Sequence, residues 1–176
     1  DPSTVASVAS FFVSRVDTEA DRRLDEIGGF DELKGTLAIA NAKLAYEAYA
    51  EVFSGDKWDA LAAKGATPQR CLWASTSTKN PAYRDTMYVE ELAGPDTVNT
   101  MPRETIEAVE DHGAIERKLD QDVEGARRTL ERFGEAGVDY DDVVATLERE
   151  GVEKFAKSFR ELFADLEAKR DQLVAA

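Results

Sequence analysis

The residues that could do chemistry lie where apolar runs end. Ser10-Phe11-Phe12-Val13-Ser14-Arg15 closes the first run. Ala74-Ser75-Thr76-Ser77-Thr78-Lys79-Asn80-Pro81 follows the second, and Asn99-Thr100-Met101-Pro102 follows the third. A guanidinium matches a phosphate dianion with two parallel hydrogen bonds, and an ammonium attracts one as a point charge. Arg15 also opens a charged stretch, so a solvated surface arginine fits the same spacing. Phe11 and Phe12 fit a core as well as a ligand wall, and Ser10 alone carries little information. His112 is the only histidine, which leaves no multi-histidine metal site. It precedes Gly113 at a helix end, where an imidazole favours the carbonyl dipole, so a structural role is expected. No serine has a histidine or acid at triad spacing. Cys71 is the only cysteine, which excludes an internal disulfide or a cysteine zinc site; a reduced, buried core thiol is expected. The lysines at 34, 43, 57, 64, 79, 118, 154, 157 and 169 all lie outside apolar strands, where desolvation would lower a pKa for imine formation. No metal and no cofactor are expected.

The elements that must hold these residues follow from patterning. Val5–Val13 is short, continuously apolar and rich in Val and Phe, which suits a strand covered on both faces. The charged stretch from Ser14 to Glu26 ends at the breaker pair Gly28-Gly29. Asp31 is an expected N-cap for a long helix whose stripe is Leu33, Leu37, Ala40, Leu44, Ala48 and Val52. A short helix through Trp58, Leu61 and Ala62 ends at Gly65. Arg70–Ala74 is the second strand. Asp85 is expected to cap a helix through Met87, Tyr88, Val89 and Leu92. Thr97–Met101 is the third strand, and Pro102 opens a helix with Ile106, Ala108 and Val109 inward. Val123, Ala126, Leu130 and Phe133 make one further helical stripe. Asp139–Asp142 opens another with Val143, Val144 and Leu147. Val152, Phe155, Phe159, Leu162 and Leu166 repeat at three and four, the clearest helical signal in the chain. Strands alternating with helices imply a parallel sheet in an α/β fold. Three strands cannot close a barrel or cover their own edges, so a piece of a larger α/β domain is expected.

Composition narrows the function classes. The chain has 176 residues, with 22 basic and 36 acidic residues and a formal net charge of −14. That charge repels a nucleic-acid backbone and an anionic membrane surface alike. A local pocket for one small phosphate remains compatible with it. No stretch reaches the ~20 apolar residues of a membrane span. The first residues carry no basic region of a signal peptide, and a reducing cytoplasm is the expected compartment.

Several long stretches resemble one family. Val8-Ala9-Ser10-Phe11-Phe12-Val13-Ser14-Arg15-Val16-Asp17-Thr18-Glu19 resembles the sixth strand and loop of actinobacterial-type transaldolases. Leu72-Trp73-Ala74-Ser75-Thr76 with Thr78-Lys79-Asn80-Pro81 is similar to their seventh, and Thr97-Val98-Asn99-Thr100-Met101-Pro102 to their eighth. Asp111-His112-Gly113 and Glu150-Gly151-Val152-Glu153-Lys154-Phe155 are similar to later landmarks. The resemblance covers essentially the whole chain. It implies the C-terminal part of a (β/α)8 barrel, with about three βα units over residues 1–113 and C-terminal helices over 114–176 packed on the barrel. The family moves a dihydroxyacetone unit from sedoheptulose 7-phosphate to glyceraldehyde 3-phosphate in the pentose phosphate pathway. It does so through a Schiff-base lysine on its fourth strand, with acid/base carboxylates on its first and third; none of those strands is matched here.

What the resemblance assigns to this part is binding. Arg15 matches the phosphate-binding arginine after the sixth strand. Ser10 matches a serine of the substrate site and Phe12 an aromatic that lines it. Lys79 falls where many members carry a second phosphate-binding arginine. Barrel chemistry gathers at the C-terminal ends of strands, where these residues fall. The expected partners are a sugar phosphate and either the remaining half of the barrel or a second copy joined through open strand edges. Two other readings stand beside it: a non-catalytic acidic module that binds a partner, and an independent sugar-phosphate aldolase half-barrel, against which the missing strand lysine counts.

Overall fold

The computed structural model describes residues 1–174. By its internal contacts the chain divides into two units, Asp1–Tyr140 and Asp141–Ala176. In the first unit the strands are β1 (Val8–Phe12), β2 (Arg70–Ala74) and β3 (Val98–Asn99). Between and after them come α1 (Ser14–Ile27), α2 (Leu37–Val52), α3 (Gly55–Ala62), α4 (Met87–Glu91), α5 (Arg103–His112) and α6 (Val123–Glu135). The strands form one parallel sheet in the order β1-β2-β3. The expected α/β class and parallel sheet are therefore present. Ser10 pairs with Leu72, Phe12 with Ala74 and Trp73 with Asn99.

Alternate residues of a strand face opposite ways. Cys71 and Trp73 face the helices and are buried, and Trp73 is fully enclosed. The ring of Phe11 meets it edge-on at 5.7 Å. Cys71 is a free, buried thiol, which its surroundings hold protonated to higher pH than usual. Val8, Ser10 and Phe12 face the other way and are exposed. The expectation that this first strand is covered on both faces is corrected: the helices cover one face only, and β1 is an edge strand.

Helix α1 is an element the sequence reading left unassigned. Its charges mask a stripe of Val16, Ala20 and Leu24, all buried. The charges largely satisfy one another: the guanidiniums of Arg22 and Arg23 each donate to Glu19 at 2.8 Å. Gly28 ends the helix at φ +80°, a conformation that costs glycine little.

Asp31 does not cap α2. It opens a one-turn 3-10 helix, Asp31–Leu33, after which the chain turns at Gly35 with φ +72°. A Cβ on Gly35 would stand 2.8 Å from the ring of Tyr83, so both the turn and the close approach require glycine. The buried part of α2 is Leu37, Ala38, Ala40, Ala42 and Tyr46. The expected stripe runs out at Ala48 and Val52, which are exposed. Helix α2 packs on α1, α6 and β2 and is the centre of the helical layer.

Three local expectations are also corrected. Asp85 does not cap α4; it accepts from the His112 ring at 2.8 Å, and position Thr86 precedes the helix. Ile106 is exposed on α5, where Thr105 is the buried residue. The third strand is only two residues long. Before α6, Asp122 accepts from the Gly125 N–H at 3.0 Å and caps the helix.

The second unit is carried by α7 (Tyr140–Val174), which begins at the last residue of the first unit and runs through Gly151 without a break. Its stripe of Val152, Phe155, Phe159, Leu162 and Leu166 is more than half exposed at every position. Among the described residues no helix is long and apolar enough to cross a membrane.

Candidate functional site

The site is built where β1 turns into α1. The ladder between β1 and β2 continues past the strand end, since Val13 N–H donates to the Ala74 carbonyl at 2.9 Å and Ser14 N–H to that of Ser75 at 3.0 Å. The first turn of α1 is thereby fixed against the end of β2. Ser75 takes φ +59° to make that contact, and its hydroxyl hydrogen-bonds that of Ser14 at 2.9 Å. A non-glycine residue in the left-handed region is strained, and such residues gather at functional sites. The Thr76 hydroxyl then reaches across to Asn99 Oδ1 at 2.8 Å, which ties the ends of β2 and β3.

The four candidate residues from the sequence are all exposed. Ser10 and Phe12 share the open face of β1. Arg15 lies in the first turn of α1, with its guanidinium carbon 4.2 Å from the centre of the Phe12 ring. That stacking orients the guanidinium over the strand end. The positive end of the α1 dipole points the same way, so an anion at this spot would feel both the guanidinium and the dipole. Ser10, Phe12 and Arg15 are thus brought together by one junction. Lys79 lies in the loop after β2 and donates to Ser77 Oγ at 2.7 Å. It lines a different cavity, of about 260 Å³, with Asp17, Asp21, Asn80, Tyr83 and Tyr88. Arg15 is not part of that wall.

Behind the junction sits a layer the sequence reading missed. Asp17 is 1% exposed. Its carboxylate accepts from the Ala38 N–H at 2.7 Å and the Tyr88 hydroxyl at 2.7 Å. Asp21, one turn on, accepts from Gly35 N–H at 3.0 Å and the Tyr83 hydroxyl at 2.5 Å. Burial pushes the Asp17 carboxyl up to about 6 against the pull of these donors. Burial also raises Asp21 and both tyrosines. The spacing of Asp17 and Asp21 by four residues, in step with Val16, Ala20 and Leu24, was the signal; it becomes visible only once Ser14–Ile27 is read as a helix.

Glu90 forms a second buried acid centre. It takes hydrogen bonds from Arg84, Thr86 and the Ala114 N–H, and Arg84 foremost holds its carboxyl down at about 2. Arg84 also donates to the His112 carbonyl. His112, at the end of α5, sits between Asp85 and Asp111, which raise its pKa. These contacts tie the segment that leads into α4 to the end of α5.

The arrangement can hold an anion at the strand ends. All nine lysines lie in helices or loops, and carboxylate partners raise Lys34 and Lys118 rather than lower them. Among the described residues no group of three or more His, Cys, Asp or Glu side chains could hold a metal ion.

Comparison with known proteins gives a consistent result. The family model described as transaldolase/fructose-6-phosphate aldolase matches residues 3–166. The transaldolase of Acidothermus cellulolyticus is 58% identical over 166 residues, which is 93% of this chain and 45% of that protein. That of Saccharopolyspora erythraea is 52% identical over 173 residues, 98% of this chain and 47% of the relative. That of Thermobifida fusca is 55% identical over 165 residues, 92% of this chain and 45% of the relative. The chain spans about half the length of the curated relatives it matches.

Proposed function

This chain belongs to the transaldolase/fructose-6-phosphate aldolase family, and we propose that it is the substrate-binding, C-terminal part of a transaldolase barrel. In this reading residues 1–113 supply the last three βα units of a (β/α)8 barrel, and residues 114–176 the C-terminal helices. The complete enzyme passes a dihydroxyacetone unit from sedoheptulose 7-phosphate to glyceraldehyde 3-phosphate, giving erythrose 4-phosphate and fructose 6-phosphate. The Schiff-base lysine belongs to the other half, which covers the open face of the sheet. The cytoplasm and the pentose phosphate pathway are the setting this reading implies.

One observation carries the assignment: the exposed Arg15 guanidinium, stacked on Phe12 at the N-terminus of α1 and at the C-terminal end of β1. Arg15 binds the substrate phosphate, Ser10 and Phe12 line the sugar, and Lys79 adds a second positive charge. Arg15→Ala in the complete enzyme removes a charge-assisted contact worth roughly 2–3 kcal/mol, a loss of about 30- to 150-fold in kcat/KM for fructose 6-phosphate. Fructose itself should lose far less. Equal losses on both sugars would refute the phosphate role. The isolated chain should form no borohydride-trapped adduct with fructose 6-phosphate, since it lacks a strand lysine to form the imine; a stoichiometric adduct on any lysine would overturn this part of the reading.

A further inference from the structure

Two aspartates of α1, Asp17 buried and Asp21 half-buried, grip the same two segments. Asp17 holds the Ala38 N–H and the Tyr88 hydroxyl, each at 2.7 Å. Asp21 holds the Gly35 N–H at 3.0 Å and the Tyr83 hydroxyl at 2.5 Å. One oxygen of each carboxylate therefore faces the entry to α2, and the other faces the segment that follows the Lys79 loop. The cations nearby are engaged elsewhere. Arg22 pairs with Glu19 at 2.8 Å and with Glu26 at 2.5 Å, and Lys34 pairs with Asp25 and Asp31 at 2.6 Å. What satisfies Asp17 and Asp21 is a set of directed hydrogen bonds from tyrosine hydroxyls and backbone amides.

Burying a carboxylate as deeply as that of Asp17 costs desolvation energy that an apolar contact would not. What such hydrogen bonds add is direction, because they hold a helix in one rotation and one translation. The consequence lies in where the gripped segments lead. Asp17 is two residues after Arg15, in the same helical turn region of α1. Tyr83 is four residues after Lys79, and its N–H closes the intervening turn on the Asn80 carbonyl at 3.1 Å. The Asn80 side chain tightens that turn by accepting from the Ala82 N–H at 2.9 Å. The path from Arg15 to Lys79 thus runs through Asp17 and Asp21, the two tyrosines, and a hydrogen-bonded turn.

We propose that Asp17 and Asp21 are positioning residues that, through Tyr88 and Tyr83, set the placement of the Lys79 loop relative to Arg15 and so tune recognition of the substrate phosphate. This rests on the reading of Arg15 and Lys79 as phosphate-binding. Neither aspartate touches the sugar. Their effect is on where the Lys79 ammonium, on a cavity wall that Arg15 does not share, stands relative to the Arg15 guanidinium, which is an affinity effect confined to the phosphate.

The test is steady-state kinetics of the complete enzyme with fructose 6-phosphate and with fructose, together with inhibition by inorganic phosphate. The variants are Tyr83→Phe, Tyr88→Phe, Asp17→Asn and Arg15→Ala. Tyr83→Phe is the mildest, since it deletes one hydroxyl from a half-buried ring and keeps the ring against Gly35. Tyr83→Phe and Tyr88→Phe should each raise KM for fructose 6-phosphate, and the inhibition constant of phosphate, by roughly three- to tenfold. They should leave kcat within about twofold and KM for fructose unmoved. Asp17→Asn should act in the same direction. A fall in kcat on both sugars with KM unchanged would overturn the proposal, because it would mark the tyrosines as purely structural. If Arg15→Ala destroys phosphate selectivity while both tyrosine variants retain it, this inference falls and the assignment of Arg15 stands. If Arg15→Ala leaves selectivity unchanged, the phosphate reading falls and this inference with it.

Discussion

The two faces of the sheet are made from the same few residues and meet opposite fates. On one face Trp73 is 0% exposed and Cys71 9%, under a layer of helices centred on α2. On the other, Val8 is 40% and Phe12 39% exposed. The covered face is stabilised by apolar burial. The open face carries Ser10 and Phe12, with Arg15 at its rim. A strand's period of two sends neighbours Phe11 and Phe12 to different environments, so residue type alone does not separate core from site. The same contrast separates α2 from α7. Both repeat apolar residues at helical spacing, yet Leu37 is buried and Phe159 is 60% exposed.

The largest way to break this contrast is on the covered face. Trp73→Ala should cost about 3–5 kcal/mol of folding stability, because a fully enclosed indole leaves a cavity that its neighbours cannot close. Urea unfolding of the isolated chain measures it. A loss near zero would mean the helical layer is not packed as described.

The next effect is the pH response of the layer behind the junction. Asp17 keeps its proton up to about 6 in the folded chain, against about 4 for a solvated aspartate. Between these values the folded state binds more protons than the unfolded one, so stability falls as pH rises, by about 3 kcal/mol in all, and the loss is complete above about pH 6. Asp21 contributes with the same sign. Glu19 and Glu90, held at about 2, act oppositely: their stabilisation is present above about pH 4.5 and is lost as pH falls toward their folded values. The window from about pH 5 to 6 therefore isolates the aspartates, and urea midpoints across it should fall in the wild type and change much less in Asp17→Asn. A wild-type midpoint that holds steady through the window would contradict the buried-carboxylate account.

The smallest effects belong to exposed apolar positions. Phe12→Ala on the open face and Phe159→Ser on α7 should each change the stability of the isolated chain by under about 1 kcal/mol. Thermal melts compare them directly with Trp73→Ala. A large loss at Phe159 would show that the stripe on α7 is buried in solution.

Much of the fold is written locally. The apolar runs at Val8–Phe12 and Arg70–Ala74, the glycine stop at Gly28-Gly29, and the periodic helices around Leu37 and Val152 are short-range patterns. So is the grouping of Ser10, Phe12 and Arg15, since six positions of chain contain all three. Helix α1 escaped because its propensity signal is diluted by charges that pair only once the helix exists, as Glu19 does with Arg22 and Arg23. Asp31 and Asp85 have the right type for caps, and tertiary partners claimed their positions otherwise.

The sequence by itself determined the α/β alternation, the family and the candidate phosphate arginine, because each depends on neighbours along the chain. Only the tertiary structure decided which face of each stripe is covered and which acids are buried. Asp17 and Glu107 are both helical carboxylates in sequence; in the fold, Asp17 is buried against Tyr88 and Ala38 while Glu107 pairs with Arg103 on the exposed surface. Those outcomes depend on residues up to 71 positions apart meeting in space, and local patterning carries no information on which distant donors a buried group will find.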